Sequence, residues 1–300
     1  MNEATISGGN LTGTIKLVPG LGAAFHPLKH TDFPDQNLYR DGGLNFEHIL
    51  NGTTADEKIN WFTPRLDTHH IVRNSASSAA VIHKASESTW GMESQMTYTM
   101  SGGDAIDMEF RMKLHENRFP LGYVGFMWAS YMNRTKGRNI RFYGELNGQP
   151  GWVNFGEDTE DDFETGTIAA VGVPKLPYEP ESAILNIIEN EQKRFIYPFY
   201  YGLVDGDGDL TTTVDTMAYI MMFDQCESIR FAMWNFIEDD NENPDPYSPA
   251  WDWQYVIKNP IIGQWYSYRA RMEYTRFINE EDILRRYRDW SKLSNNRDSC

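Results

Sequence analysis

The chain has 300 residues, 40% hydrophobic and 23% charged, a composition that can bury a large core and excludes a disordered or fibrous protein. Its net charge of −16 disfavours a phosphate backbone, so nucleic acid is not an expected partner, and an anionic polymer would need a local basic pocket. No apolar run reaches the ~18 residues that span a bilayer, so no membrane association is expected, and Cys226 and Cys300 make no disulfide framework.

Met1 to Leu17 is polar and rich in glycine and threonine, without the basic-then-apolar order of a secretory leader. A reducing, cytoplasmic location is the expectation. Phe25 to Gly43 is irregular and carries His26, Lys29, His30, Asp32, Asp35, Arg40 and Asp41. It reads either as a cover over a site or as a surface excursion. "TPRLDTHHIVR" gathers Arg65, Asp67, His69 and His70. On a strand the two histidines face opposite ways, so at most one enters a given cleft.

Ser78 to Ala85, Met92 to Met100 and Ala105 to Leu114 alternate apolar and polar residues, and Ser101-Gly102-Gly103-Asp104 turns the last two into a hairpin. In Phe119 to Asn133, Pro120 and Gly122 limit pairing at the start. Val124, Phe126 and Trp128 then share one face and Tyr123, Gly125, Met127 and Ala129 the other. Both faces are apolar, which predicts a central strand covered on each side. Polarity returns at Ser130, Tyr131 and Asn133, where the strand end meets a loop.

Further strands are predicted at "NIRFYGEL", "GWVNFG", "TIAAVGV", "RFIYPFYYGLV", "TMAYIMMF", "SIRFAMWNF", "WQYVI" and "QWYSYRARMEYTRF". One helix is predicted at about 279–293, capped by Asn279, with Ile283, Leu284, Tyr287 and Trp290 on one face. No repeat or linker divides the chain. The expectation is an all-β fold, one large antiparallel β-sandwich domain over residues 1–300 with a short C-terminal helix.

The hairpin, the proline after it and the apolar strand ending in Trp128-Ala129-Ser130-Tyr131-Met132-Asn133 come in a recognisable order. That order resembles the galactose mutarotase-like supersandwich family of aldose epimerases and related lyases and hydrolases, over about a quarter of the chain. The resemblance implies a cleft lined by Trp128 and Tyr131. The family's catalytic histidine falls on Ala129, which cannot move a proton, so ordinary mutarotation is not implied.

Candidate residues follow from side-chain chemistry. His69 and His70 titrate near neutrality and suit proton transfer, with Arg65 or Arg271 holding an anionic group or developing charge. Tyr201 and Asp205, at the end of an apolar strand, are the other catalytic candidates. Asp205, Asp207 and Asp209 alternate with glycines and could gather around Ca²⁺, but Leu210 and Thr216 break the EF-hand pattern, and an Asp-Gly turn is preferred. No further cofactor or metal is expected. Trp128, Tyr131, Asn133, Trp234, Asp252 and Trp253 complete the substrate-binding set, because aromatic rings stack on sugar faces and carboxylates bond their hydroxyls. The acids of 157–164 and 238–242 read as solvated runs.

There is no glycine-rich phosphate loop, zinc spacing, nucleophile elbow or HExxH. With aromatics at 14% of the chain, the expected ligand is a carbohydrate. The expected function is a carbohydrate-active enzyme of hydrolase or lyase type. The alternative is a non-catalytic glycan-binding sandwich. Oligomeric state is not legible.

Overall fold

The computed structural model describes residues 2–50, 63–156, 165–177, 189–207, 214–234 and 249–294. The first strands are β1 (Glu3–Gly8), β2 (Leu11–Val18), β3 (Gly22–His30) and β4 (Asn45–Leu50), followed by a helical turn, α1 (Thr63–Leu66). Then come β5 (His70–Arg73), β6 (Ser78–His83), β7 (Met92–Gly102), β8 (Ala105–Leu114), β9 (Tyr123–Ala129), β10 (Ile140–Leu146) and β11 (Gln149–Phe155). The remainder are β12 (Gly166–Ala169), β13 (Lys193–Phe195), β14 (Phe199–Asp205), β15 (Thr216–Phe223), β16 (Ile229–Trp234), β17 (Ala250–Lys258), β18 (Trp265–Arg276) and α2 (Glu280–Ser294).

The named strands pair antiparallel. They form a 10-stranded sheet in the order β11-β10-β14-β15-β18-β8-β7-β6-β5 with β13 added to β10, a 5-stranded sheet in the order β12-β16-β17-β9-β4, and a 3-stranded sheet β1-β2-β3. The all-β sandwich expected from alternation is what forms. The β7–β8 hairpin keeps register from Met92↔Leu114 to Gly102↔Ala105.

The smaller sheet covers the larger one, and the inward side chains of both fill a core rich in rings. Trp128 of β9 lies between Phe46 (4.9 Å, 16°) and Trp253 (5.5 Å, 4°). Phe110 and Tyr268 of the large sheet meet its edges at 4.7 and 5.5 Å. Every residue of β9 is buried, as expected for a central strand.

The far face of the large sheet carries the helix. β14 and β15 read as apolar on both sides because Phe199, Tyr201, Ala218, Ile220 and Met222 pack under Ile283 and Trp290 of α2. Asn279 Oδ1 accepts the Asp282 N–H at 2.9 Å, closing the helix N-terminus. Arg286 bridges Asp282 and Glu273, tying the helix to β18. Asn279→Ala should therefore cost about 1 kcal/mol, read as a lowered urea midpoint, with no change at the opposite face.

Candidate functional site

The polar side chains of interest lie on the outer face of the smaller sheet, away from the ring core. In β17, Trp251, Trp253 and Tyr255 point inward, which turns Asp252 and Gln254 outward. In β9, Val124, Phe126 and Trp128 point inward, which turns Met127 and Ala129 outward. β17 and β9 pair through Trp253↔Trp128, so one step further Asp252 comes opposite Ala129. The Ser130 N–H confirms the proximity by donating to Asp252 Oδ1 at 3.0 Å.

β4 contributes what alternation does not foresee. Its register with β9 slips between Phe46 and His48, so Glu47 is an extra residue at a β-bulge. Bulges re-aim side chains. Phe46 keeps its place in the core while Glu47 turns to the helical turn α1 and to Tyr131. Glu47 Oε1 accepts from Arg65 Nη2 and from the Tyr131 hydroxyl (3.0 Å), and Arg65 Nη2 also donates to that hydroxyl. His48 Nε2 stands 3.2 Å from the same oxygen. Burial drives His48 down to about 4, so at neutral pH its imidazole is uncharged.

Asp252 is fully buried, and desolvation pushes its carboxyl up to about 8 against the pull of the Ser130 N–H and of Arg65. Burial also lifts Tyr131 to about 12, opposed by Arg65. The cluster thus holds a carboxylic acid protonated at neutral pH, an Arg65–Glu47 ion pair and a phenol between them. Trp234, half-buried at the end of β16, completes one rim: it pairs with Ala250, which in turn bridges to Tyr131.

Of the twelve residues expected from sequence, Arg65, Tyr131, Trp234 and Asp252 come together. The others do not. Trp128 and Trp253 are completely buried in the inward ring stack and present no face to a sugar. Tyr201 lies under α2, donating to Glu280 at 3.2 Å. Arg271 is on the helix side of the large sheet, held by Asp107 at 2.7 and 2.9 Å. His70 pairs with Glu87 at the sheet edge. His69 points the other way, as the alternation argument required, but into the core edge against His83 at 4.4 Å. Burial lowers it to about 4, away from the range useful for proton transfer at neutral pH. A Cβ at Gly22 would lie 2.6 Å from His69 Nε2, and Gly22 has φ 72°, so glycine is required there on both counts. Asn133 braces the long N-terminal segment by donating to Asn37 O at 3.0 Å.

Asp205 faces Lys136 Nζ at 2.6 Å. Among the described residues no group of three or more metal-ligating side chains occurs. Asp209, with the acids of 157–164 and 238–242, lies outside the described residues. Glu47 and His48 were not singled out from sequence. The only signal was a Glu-His pair interrupting the apolar run "NFEHIL".

This architecture has counterparts. A candidate aldose 1-epimerase of Escherichia coli K12 superposes with a TM-score of 0.51 at 9% identity, covering 92% of this chain and 99% of that one. A GalM/aldose epimerase homologue from C. elegans gives 0.50 at 10% identity, with 92% and 99% covered. The chain has the galactose mutarotase-like fold. At these identities the likeness speaks for the fold alone. No family model and no curated protein matches the sequence. On the mutarotase-like frame, Ala129 is on the site face beside Asp252, the position at which the sequence resemblance put the missing histidine.

Proposed function

We propose that the protein is a carbohydrate-active enzyme whose proton donor is Asp252. The observation that carries this reading is a buried carboxyl held near pKa 8 beside an Arg65–Glu47–Tyr131 cluster. Two carboxyl groups whose environments differ this much suit divided acid and base roles. Asp252 protonates the leaving oxygen of a sugar. Glu47, coupled to the Tyr131 hydroxyl, takes up a proton from water or from the sugar ring, and the Arg65 guanidinium stabilises the charge that develops. Trp234 supplies a ring face for stacking. Hydrolase and lyase chemistry both use such a set; the hydrolytic form needs water between the two carboxyls, and the eliminating form uses the phenol.

The presence of Ala129 where the fold relatives' resemblance calls for histidine favours a second reading, a glycan-binding protein without turnover. One panel of oligosaccharides decides between them, followed for reducing ends, for the ultraviolet absorbance of an unsaturated product and for anomer interconversion. Turnover that disappears in Asp252→Asn supports the enzyme. Binding across the panel with no product of any kind overturns it in favour of the binder.

A further inference from the structure

α2 packs over β14 and β15, and between its last turns and the neighbouring strands β18, β8 and β7 lies a cleft. Antiparallel register builds its floor. Thr97 of β7 stands opposite Glu109 of β8, and Glu109 opposite Arg269 of β18. Two residues along, Thr99, Asp107 and Arg271 repeat the same order. Their neighbours Tyr98, Met108 and Ala270 point into the core, so all six side chains stand on the outer face, in two rows about 7 Å apart. Trp290 and Leu293, one turn apart on α2, form the wall. The cavity lined by both rows and this wall measures about 280 Å³.

The two rows differ in what they have left to offer. The second is closed on itself: Arg271 donates to Asp107 at 2.7 and 2.9 Å, and Thr99 donates to Ser78 at 3.1 Å. The first is open. Glu109 is exposed and has no hydrogen-bond or ion-pair partner among the described residues. Thr97 Oγ1 accepts from Gln95 at 2.9 Å, which leaves its own O–H to donate. Arg269, at the end of the row, is drawn to Asp224, Nε to Oδ2 at 3.2 Å. In the wall, the Trp290 indole N–H has no hydrogen-bond partner among the described residues, and Leu293 is 78% exposed at the rim. The two guanidiniums and two carboxylates of the floor cancel, so neither an anion nor a cation is favoured there.

We propose that this cleft is a second, non-catalytic carbohydrate site that takes a neutral sugar ring. Such a ring carries hydroxyls around its rim and C–H groups on its faces, which matches a floor of donors and acceptors beside an apolar wall. Glu109 accepts from sugar hydroxyls, the Thr97 O–H donates to another, and Leu293 with the edge of Trp290 covers the C–H face. The volume is close to the lower end for small-molecule sites, about 300 Å³, which suits one ring rather than a long chain. The cleft and Asp252 lie on opposite outer faces of the sandwich, with both sheets between them. It therefore serves attachment to a glycan rather than the chemistry proposed at Asp252.

Proton–nitrogen NMR of the full chain tests it, with galactose, glucose, mannose and their oligomers as probes and glucuronate and glucosamine as charged controls. The Thr97 amide and the Trp290 indole N–H report on the cleft, and the Ser130 amide reports on the Asp252 site. At least one neutral sugar should shift the cleft signals saturably, in the wild type and in Asp252→Asn alike. Glu109→Ala should weaken that binding about tenfold, the worth of a hydrogen bond to a charged group. Leu293→Ala should weaken it about threefold. Both variants should keep the wild-type melting temperature, since both side chains are exposed. A shift of the Ser130 amide alone overturns the cleft and leaves the carbohydrate reading of the Asp252 site intact. Cleft shifts that neither substitution weakens, or that glucuronate or glucosamine produces at lower concentration than any neutral sugar, also overturn it. No response of either site to any probe overturns both.

Discussion

Asp252→Asn is expected to fold and to lose about 2–4 decades of turnover, the range typical of a missing general acid. Asparagine keeps the acceptor for the Ser130 N–H, so the geometry at the strand end is retained. A second readout does not depend on knowing the substrate. The folded carboxyl has its pKa raised from 3.8 to about 8, so the folded state holds a proton there that the unfolded chain has released. Its contribution to stability is complete below pH ~4 and is lost as pH rises towards 8. His48, His69 and His83 run the other way: burial lowers them to about 4, 4 and 3, and their contribution is present above 6.5 and lost as pH falls. Between 6.5 and 8, then, Asp252 dominates these four, and wild-type stability should decline with pH. Chemical denaturation across pH 6.5 to 8 should show that decline in the wild type and a flat profile in Asp252→Asn. An unchanged slope in the variant would show that Asp252 ionises normally and would remove it as a proton donor.

Arg65→Met should be the most destabilising single change in the site, by about 3–5 kcal/mol, because it leaves the carboxylate of Glu47 buried without its cation. Glu47→Gln in the same chain should recover most of that loss, since an amide needs no counter-charge and can still accept from the Tyr131 hydroxyl. The cost belongs to the stranded charge rather than to the lost contact. A double-mutant cycle on urea midpoints separates the two: near-additive losses would mean that Arg65 and Glu47 are independently solvated and that no ion pair organises the site. The double variant should remain inactive, because restoring stability does not restore the guanidinium.

Alternation in the sequence was enough for the fold class, the β7–β8 hairpin, the central place of β9 and the helix cap at Asn279. These depend on local periods, two for strands and 3.6 for helices, which any chain segment displays on its own. The same local information separated His69 from His70, which do point to opposite sides.

What the sequence could not settle was which side of a strand would carry chemistry. Trp128 and Trp253 read as sugar platforms, yet they became the inner ring stack, because a large aromatic next to other rings gains more from the core than from a wet surface. Tyr201 and Arg271 were lost to the helix side of the large sheet, since alternation divides a strand into two faces without saying what covers each. Asp205 was taken by Lys136, distant in sequence by 69 positions.

Residue types and periods therefore determined by themselves that this chain would be a β-sandwich with polar strand ends. Only the tertiary structure decided that Glu47, Arg65, Tyr131 and Asp252 would meet. The physical reason is register. A single bulge in β4 turns Glu47 out of the core, and antiparallel pairing then brings residues up to 205 positions apart, from Glu47 to Asp252, onto one surface.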